Sequence, residues 1–429
     1  MSKKLKIKRP DPFIWIIMIL YLIGASIVRR KVIITYKTQQ GEILKGRNAR
    51  KALKQLKAPF VLLGNHHSLY DYIFPMRALF PRRINYMVAR KHVVASPFRF
   101  FLKRCYTIPK SLFQTDIPSL RGSFDVIAQK GILAIYPEGQ ILVNGISKQL
   151  PEQVSKLLKK LKVPVLIQRT SGAYFVDSTW RKDLPKGPIE VEFSLAMSAE
   201  QVAEYSLEKI DEIVAKGLYV DNFKWQEETG SLYTGKNRAV GLENILYMCP
   251  CCKKEFNIST KNDMIICKNC GLEVRYNEAC HLDWKGEKYF SHIGEWYNYQ
   301  REVEAENHTK NDFIQDYSVE LRVLAEKNTL IKDSNNFEIR KTKRIEKAGD
   351  GILSLRNEKY TYRGMIFGEE AEINFNPKSV QFLPYTPGDN FQIYLQDVMF
   401  AFHPKNPKNC AKAALSIESF YEHLQKNKI

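Results

Sequence analysis

The sequence predicts an α/β fold, with a layered N-terminal domain followed by a small cysteine-rich module and a β-rich C-terminal domain. Three observations predict it. Short apolar runs alternate with helix-like stretches from residue 32 to about 220, which is typical of a layered domain with a mostly parallel sheet. Five of the eight cysteines fall between Cys249 and Cys270. Beyond about residue 281 the apolar runs are short, aromatic and β-branched, which indicates strands separated by turns.

Length and composition limit the possible classes of protein. A chain of 429 residues exceeds one ordinary core, so we expect several domains. The hydrophobic fraction of 44% and the charged fraction of 26% exclude a polytopic membrane protein and a disordered chain. We predict a basic, apolar membrane-attachment helix at 1–31, the α/β domain at 32–220, a connector at 221–245, the cysteine module at 246–280 and the β-rich domain at 281–429.

The N-terminus combines positive charge with an apolar run. Residues 1–100 carry 21 Lys and Arg against 3 Asp and Glu, a charge that suits phospholipid headgroups or nucleic acid. The uncharged segment Phe13–Val28 would rise roughly 24 Å as a helix, short of the roughly 30 Å bilayer core. A helix lying in one leaflet is therefore favoured. The alternatives are a buried core helix and a signal peptide cleaved near Gly24-Ala25-Ser26.

Periodicity assigns elements to the two larger domains. In the α/β domain it predicts strands at 58–64, 84–88, 132–136, 163–168 and 189–196 and helices at 117–129, 151–161 and 199–216. In the β-rich domain it predicts strands at 352–355, 359–362, 372–375, 380–383 and 392–395 and a helix at 410–425. A bent sheet with one terminal helix would suit a pleckstrin-homology-like barrel, although the pattern leaves other small β folds open.

The most informative stretch is Gly64 to Asp71 (GNHHSLYD), directly after a predicted strand. Strand ends that open into helices are where α/β folds carry reactive groups. His66 is suited to proton transfer near neutral pH, and Asp71 five residues later could orient its imidazole. Taken alone, an adjacent histidine pair at a strand end is more often a cap or a surface feature.

Other blocks in the chain favour the functional interpretation. The pattern NHxSxxD, followed about 70 residues later by Tyr-Pro-Glu-Gly, resembles the glycerolipid acyltransferase family, which includes the bacterial 1-acylglycerol-3-phosphate acyltransferases (PlsC-like). The similarity spans roughly residues 30–220. The matching residues are Asn65, His66, Ser68 and Asp71 in the first of four blocks, Tyr106 to Lys110 in the second, Pro137, Glu138 and Gly139 in the third, and Val163 to Val165 in the fourth.

The resemblance implies a mechanism without a covalent nucleophile or a catalytic metal. His66 would take the proton of a glycerol hydroxyl that attacks the thioester of acyl-CoA or acyl-carrier protein, and Asp71 would orient His66. Lys110 would bind the acceptor phosphate as a point charge. The residues assigned to substrate binding are Asn65, Ser68, Lys110, Glu138 and Gly139.

The chain also departs from the family pattern. The second block starts with Arg104-Cys105 where Gly is usual and ends in Lys110 where Arg is usual. The third block continues with Gln140-Ile141, so one phosphate-binding cation is missing. The cations that could substitute are Arg169 and Arg181, and further candidate anion contacts, each more often an ordinary surface charge, are Arg90, Lys91 and Lys103.

The cysteine module carries two CxxC pairs separated by 14 residues. This spacing, with a hairpin-like segment between the pairs, is typical of a zinc ribbon with four thiolate ligands. The predicted ligands of a structural zinc are Cys249, Cys252, Cys267 and Cys270. Cys251 is the spare cysteine, although a shift of ligand to Cys251 stays open, and Cys280 with His281 is a less favoured alternative.

The sequence therefore predicts a membrane-associated O-acyltransferase at the cytoplasmic face of the cell membrane, monotopic or single-pass. Its expected partners are an anionic phospholipid membrane, a lysophospholipid acceptor and an acyl-CoA or acyl-carrier-protein donor. Zinc ribbons and a net charge of +20 also suit a nucleic-acid-binding protein. No nucleic acid is expected, because the charge concentrates around the apolar segment. A catalytically silent membrane adaptor is the other alternative.

Overall fold

The computed structural model describes residues 7–22, 31–111, 116–148, 150, 153–308, 313–331 and 337–426. The chain divides into two units. Unit 1 comprises Met1–Ser178, Leu184–Gly235 and Glu278–Cys280, and unit 2 comprises Thr179–Asp183, Lys236–Asn277 and His281–Ile429. The predicted connector is therefore split after residue 235, and the paired cysteines share a unit with the β-rich half of the chain.

Unit 1 alternates strands and helices along most of its length. Its helices are α1 (Pro12–Leu22), α2 (Gly46–Gln55), α3 (Ile73–Leu79), α4 (Arg90–Ala95), α5 (Arg99–Arg104), α6 (Ile117–Ala128), α7 (Gln153–Leu161), α8 (Ala173–Asp177), α9 (Ala199–Glu204), α10 (Leu207–Leu218) and α11 (Asn222–Thr229). Its strands are β1 (Lys31–Lys37), β2 (Ile43–Lys45), β3 (Phe60–Gly64), β4 (Ile84–Ala89), β5 (Ile108–Lys110), β6 (Ile132–Ile135), β7 (Val165–Ser171) and β8 (Pro188–Met197).

These strands form one mixed sheet in the order β2-β1-β8-β7-β3-β6-β4-β5. The pairs from β7 to β5 are all parallel, and β1 also pairs with β8 in parallel. Within the described strands of this sheet, only β1 with β2 and β7 with β8 run antiparallel. The prediction of a mostly parallel sheet is confirmed. The carboxyl ends of β7, β3, β6, β4 and β5 consequently meet at one edge of the sheet.

The continuous apolar character of the central strands explains their position. Every residue of β3 and β6 is buried, as expected for parallel strands with both faces covered. On one face, Leu63 and Leu133 pack with side chains of α6, α7 and α10, including Val126, Leu158 and Val214. A rigid, fully buried strand thus delivers the residues that follow β3 to the carboxyl edge of the sheet.

Two features of unit 1 differ from the sequence prediction. The helix predicted at 199–216 is divided into α9 and α10, because Tyr205 is extended and Ser206 caps the second helix by accepting the N–H of Lys209 (3.2 Å). The prediction also omitted the strands β1, β2 and β5 and the helices α2, α4, α5, α8 and α11. The strands β2 and β5 have three residues each, too few for a periodicity to register.

Helix α1 covers the described part of the predicted apolar segment, while residues 23–28, with the Gly24-Ala25-Ser26 triplet, lie outside the described residues. Trp15 and Ile19 are buried against the rest of unit 1. The opposite side of α1 is apolar and exposed. No helix within the described parts of the chain is long and apolar enough to cross a bilayer.

Unit 2 contains the cysteine module and a larger antiparallel sheet. Its elements are β9 (Ile258–Lys261), β10 (Met264–Cys267), β11 (Glu273–Tyr276), β12 (Leu282–Trp284), α12 (Ile293–Asn307), β13 (Ile314–Ala325), β14 (Thr329–Ile331), β15 (Phe337–Ile339), β16 (Glu346–Arg356), β17 (Tyr360–Ile366), β18 (Glu369–Phe375), β19 (Tyr385–Thr386), β20 (Asn390–Leu395), β21 (Val398–Pro404) and α13 (Asn409–Lys426). Strands β9 to β12 form a four-stranded sheet that carries the second cysteine pair.

The larger sheet has the order β18-β17-β16-β13-β21-β20-β19 and is antiparallel throughout. Helix α13 packs against it, as predicted, and the pleckstrin-homology-like assignment stays a prediction. The prediction of a strand at 380–383 is wrong. Val380 and Leu383 are buried in a loop against α13, and the prolines at 377 and 384 flank this loop. Apolar residues can anchor a loop as well as a strand, so the pattern alone could not separate the two.

Candidate functional site

The NHxSxxD residues lie in the turn between β3 and α3, at the carboxyl edge of the sheet. Asn65 is fully buried, and its amide joins this turn to β7: Nδ2 donates to the carbonyl of Thr170 (2.9 Å) and Oδ1 accepts the Thr170 N–H (2.7 Å). Both ends of the Asn65 amide therefore have protein partners. The turn begins at a fixed position relative to two neighbouring parallel strands.

Asp71 is the centre of the turn. Its Oδ2 atom accepts hydrogen bonds from the backbone N–H groups of His67 (2.7 Å) and Ser68 (2.8 Å) and lies 3.1 Å from Nδ1 of His66. Burial raises the pKa of the Asp71 carboxyl, and the hydrogen bonds from His66, Ser68 and His67 oppose that rise. The structure thus brings the two predicted catalytic side chains together.

The contact with Asp71 determines which nitrogen of His66 can act as a base. A carboxylate accepts, so Nδ1 carries the hydrogen and Nε2 presents a lone pair. Within the described residues nothing hydrogen-bonds to Nε2, and the His66 side chain is 22% exposed. The ring of Tyr136 lies beside the imidazole with centroids 5.1 Å apart. Gly64 permits this, because a Cβ there would approach Cε1 of Tyr136 to 2.5 Å.

Ser68 supports the turn from inside. Its hydroxyl donates to Oδ2 of Asp177 (2.9 Å) and accepts the N–H of Tyr70 (3.1 Å). Asp177 is buried at the end of α8 and was not predicted as a site residue. An acidic residue closing the apolar run Ala-Tyr-Phe-Val-Asp was the available signal, because a carboxylate seldom ends a buried helix without a polar partner.

His67, the neighbour of the candidate base, has a different environment. It is fully buried, and its Nδ1 lies 2.8 Å from Nδ2 of Asn222. The Oδ1 atom of Asn222 accepts the N–H of Gly172 (2.8 Å), so Nδ2 must donate and Nδ1 of His67 must accept. The other nitrogen, Nε2, then carries the hydrogen and faces Oγ of Ser147 (3.2 Å). Burial, with the neighbouring His66, lowers the pKa of His67 to about 3, so the ring is neutral.

Asn222 belongs to the segment that the sequence predicts as a connector. In the structure this segment begins with α11, capped by Asp221, and buries Phe223 and Tyr233. Its polar composition predicted a loop, yet the polar side chain of Asn222 serves a buried histidine 155 residues earlier in the chain. No local pattern identifies such a contact.

Glu138 follows β6 and joins the same site. Its Oε2 atom accepts the backbone N–H of His66 (3.0 Å), and Oε1 lies 3.8 Å from Nε2 of His67. Burial raises the pKa of Glu138 to about 8, an effect that the His66 N–H reduces and the charge of Asp71 increases. Gly139 adopts φ +70°, and its N–H donates to the carbonyl of Tyr136 (3.2 Å), so a left-handed glycine closes the turn.

The predicted phosphate-binding cation, Lys110, ends β5, three strands from β3. At about 4.8 Å per strand, its backbone lies roughly 14 Å along the edge from that of the His66 turn. Arg90, at the end of β4, is closer, but its guanidinium contacts Asp116 (3.2 Å) and Ser111 (3.1 Å). Lys91 follows it, and burial lowers the pKa of Lys91 to about 8. The edge beside the candidate base is therefore cationic.

The two arginines considered as substitutes for the missing cation have other partners. Arg169 on β7 pairs with Glu192 on β8 at 2.8 Å. Arg181 belongs to unit 2, where it lies over the ring of Trp180 at 4.5 Å and contacts Asp183 at 3.4 Å. Neither is joined to the His66 turn by a described contact.

The four predicted cysteine ligands form a single cluster in unit 2. All four sulfur atoms lie within 4.8 Å of one another, and the Cys249–Cys270 and Cys252–Cys267 separations are 3.7 and 3.8 Å. Four sulfurs about 2.3 Å from a central ion would stand about 3.8 Å apart in a tetrahedron, so the residues fit a metal ion. Cys251 is exposed and outside this cluster. Its participation is therefore not supported.

The two cysteine pairs have matching backbone geometry. In each pair the first cysteine accepts, at its carbonyl, the N–H of the residue four positions later (3.0 Å from Lys253, 2.9 Å from Gly271). Both of these later residues have positive φ, +59° and +74°. Two equivalent turns thus present their thiols towards one point, which is the geometry that a four-thiolate metal site requires.

The Cys252→Ser variant is expected to lose the bound metal, because a closed site needs all four thiolates. The Cys251→Ser variant is expected to retain it. The measurement is metal content per chain after gel filtration in metal-free buffer, with the thermal midpoint of each variant. Equal metal loss in both variants would contradict the ligand assignment.

The substitution His67→Leu is expected to destabilise the native state by about 1–3 kcal/mol, because Asn222 and Ser147 lose a hydrogen-bond partner. This difference in unfolding free energy between wild type and variant should become smaller as the pH falls. Below the ordinary histidine pKa of about 6.5, His67 becomes protonated in the unfolded wild-type chain. In the native state it stays neutral, because its pKa there is about 3. Wild-type stability then falls by up to about 1.4 kcal/mol per pH unit, and the leucine variant lacks this loss. Urea unfolding at pH 8 and pH 5.5 tests it; an equal cost at both would refute the neutral buried ring.

Comparison with protein-family models and with curated protein sequences finds no match for this chain. Among solved structures, the chain is similar to the crystal structure of the 1-acyl-sn-glycerophosphate (LPA) acyltransferase, PlsC, from Thermotoga maritima. The identity is 14%, the match covers 51% of this chain and 78% of that chain, and the TM-score is 0.37. At these values the likeness carries no functional argument.

Proposed function

We propose that the chain is a membrane-associated O-acyltransferase that moves a fatty acyl group from acyl-CoA or acyl-carrier protein to a lysophospholipid. The first acceptor to test is 1-acylglycerol-3-phosphate, whose product would be phosphatidic acid. One observation carries the proposal: the 3.1 Å contact between Nδ1 of His66 and Oδ2 of Asp71 at the end of a parallel strand. The surrounding sequence blocks support the same reaction class by their resemblance to glycerolipid acyltransferases.

In the proposed reaction, Nε2 of His66 removes the proton of the acceptor hydroxyl while the hydroxyl oxygen attacks the thioester carbonyl carbon. The tetrahedral intermediate then collapses, the carbon–sulfur bond breaks, and the departing thiolate takes the proton from Nε2. The products are an ester and a free thiol, and His66 returns to its starting state. Asp71 stabilises the imidazolium between the two proton transfers.

Glu138 and Gly139 remain assigned to the acceptor by the family resemblance. One contact supports a position of Glu138 near the acceptor hydroxyl. The backbone N–H of His66 donates to Oε2 of Glu138 (3.0 Å), and this hydrogen bond joins the loop after β6 to the loop after β3. Because Ser68 and Asn65 are buried and bonded inside the protein, we propose that they act through the shape of the turn.

The acceptor is proposed to carry a phosphate. Lys110, Arg90 and Lys91 lie at the ends of β5 and β4, on the same edge as His66. An acceptor whose hydroxyl reaches His66 would direct an anionic headgroup along this edge. A lysine binds such a phosphate as a point charge and without the two-point geometry of arginine.

The proposed partner surface is an anionic phospholipid bilayer at the cytoplasmic face of the cell membrane. Helix α1 supports this, because the side chains Phe13, Ile16, Ile17 and Leu20 are exposed at the spacing of one helical stripe. An exposed apolar stripe beside a strongly basic segment suits a lipid surface, where the side chains insert and the cations meet headgroups.

We propose zinc as the ion of the four-cysteine cluster. Four thiolates at tetrahedral spacing are a common zinc ligand set, and such a closed set leaves no open coordination position. Its proposed role is to stabilise the fold, so acyl transfer would depend on the residues of unit 1.

The His66→Ala variant is expected to turn over about 100-fold more slowly or worse, because the reaction loses its positioned base. The Asp71→Asn variant should be similarly slow. An amide N–H facing Nδ1 of His66 would leave the hydrogen on Nε2, which could then not accept a proton. The assay combines purified protein, labelled acyl-CoA or acyl-carrier protein and a panel of lysolipids.

The matched control is alanine at His423, a histidine of α13 in unit 2, which should keep wild-type turnover. Wild-type activity in the His66→Ala variant would reject the catalytic assignment. Wild-type protein that acylates no lysolipid but shows salt-dependent binding to DNA would favour the nucleic-acid-binding alternative.

A further inference from the structure

The segment joining β4 to β5 exposes three phenylalanines. Phe98, Phe100 and Phe101 are 57%, 55% and 36% exposed, and they surround the start of α5. None of the six residues of α5 is buried. Aromatic side chains this large normally enter a core or an interface, so a cluster of three at one corner calls for a partner.

Cations alternate with these rings. Arg99, Lys103 and Arg104 are exposed on the same short helix, and the guanidinium of Arg104 lies 5.5 Å from the centroid of the Phe100 ring. The only acidic contact described for this helix is that of Arg104 with Asp11, at 3.9 Å. The corner therefore combines apolar rings with a net positive charge.

This corner adjoins helix α1. The N–H of Asp11, which caps α1, donates to the carbonyl of Arg104 (3.1 Å), and Sγ of Cys105 lies 3.9 Å from Sδ of Met18. The exposed stripe of α1 and the aromatic corner thus belong to neighbouring elements of unit 1.

We propose that Phe98, Phe100 and Phe101, with Arg99 and Lys103, form a second contact with an anionic bilayer, distinct from α1. The rings would enter the boundary between headgroups and acyl chains while the cations remain at the phosphates. A symmetric contact with the same corner of a second copy is disfavoured, because it would bring positive charge against positive charge. The inference deepens the proposed function, since it specifies how the site meets its lipid.

The position of the corner along the chain links it to the candidate site. Phe98 lies eight residues after Arg90, and the first six residues of this stretch form α4. Helical rise and extended-chain limits keep the two Cα atoms within roughly 18 Å. A bilayer that holds Phe98 therefore lies within the length of one phospholipid of the cationic edge beside His66.

The test is partition of the full chain onto sedimented vesicles, of phosphatidylcholine alone and of phosphatidylcholine with phosphatidylglycerol. The double variant Phe98→Ser, Phe100→Ser is expected to partition more weakly onto both kinds of vesicle, by about tenfold for each ring removed. The double variant Arg99→Gln, Lys103→Gln should partition about fivefold more weakly per charge removed, only on the anionic vesicles and with a smaller effect at high salt.

The matched control is Phe367→Ser, at a phenylalanine of unit 2 that is 43% exposed, and this variant should partition like wild type. Unchanged thermal midpoints exclude misfolding as the cause of a loss. Wild-type partition of the double phenylalanine variant would overturn the proposal. So would a concentration-dependent self-association that these rings mediate without an effect on vesicles. The measurement needs no turnover, so a protein that fails to transfer acyl groups still tests the surface.

Discussion

The candidate site depends on one buried carboxylate oxygen, Oδ2 of Asp71. A buried charge is costly unless donors surround it, and here two consecutive backbone N–H groups, those of His67 and Ser68, converge on it together with Nδ1 of His66. Consecutive N–H groups can meet one atom only if the chain turns tightly. The same requirement that compensates the charge therefore bends the chain after β3 and holds the imidazole with Nε2 available.

The distribution of charge around this oxygen follows from the number of donors. Asp71 and Glu138 are both buried and close enough to interact, and two such carboxyls do not ionise together at low cost. Oδ2 of Asp71 has three donors, whereas Oε2 of Glu138 has the His66 N–H. The charge is therefore best placed on Asp71 and the proton on Glu138, whose pKa is raised to about 8. His67, neutral between them and Asn222, adds no competing positive charge.

The sequence predicts those parts of the candidate site and of the cysteine cluster whose residues lie close together along the chain. The run Gly64 to Asp71 lies within one turn, and each CxxC pair is a single turn, so their residue spacing nearly determines their geometry. Asp177 and Asn222 could not be found in this way, because they reach Ser68 and His67 from 109 and 155 residues away. Their residue types are common, and only the tertiary fold gives them their roles. Short elements such as β5 were missed for the related reason that three residues carry no period.

The proposed substrate would account for the exposed apolar surfaces of α1 and α5. Lifting a lysophospholipid with a chain of about 16 carbons out of a bilayer would cost about 13 kcal/mol, at about 0.8 kcal/mol per methylene. Few binding sites repay so much, so an enzyme for such a lipid gains more by moving its site to the headgroup level. That requires contacts at more than one point, because a single short helix leaves the protein free to tilt. Two exposed apolar patches with interleaved cations, on elements that touch at Asp11 and Arg104, would fix the angle at which the cationic edge meets the lipid.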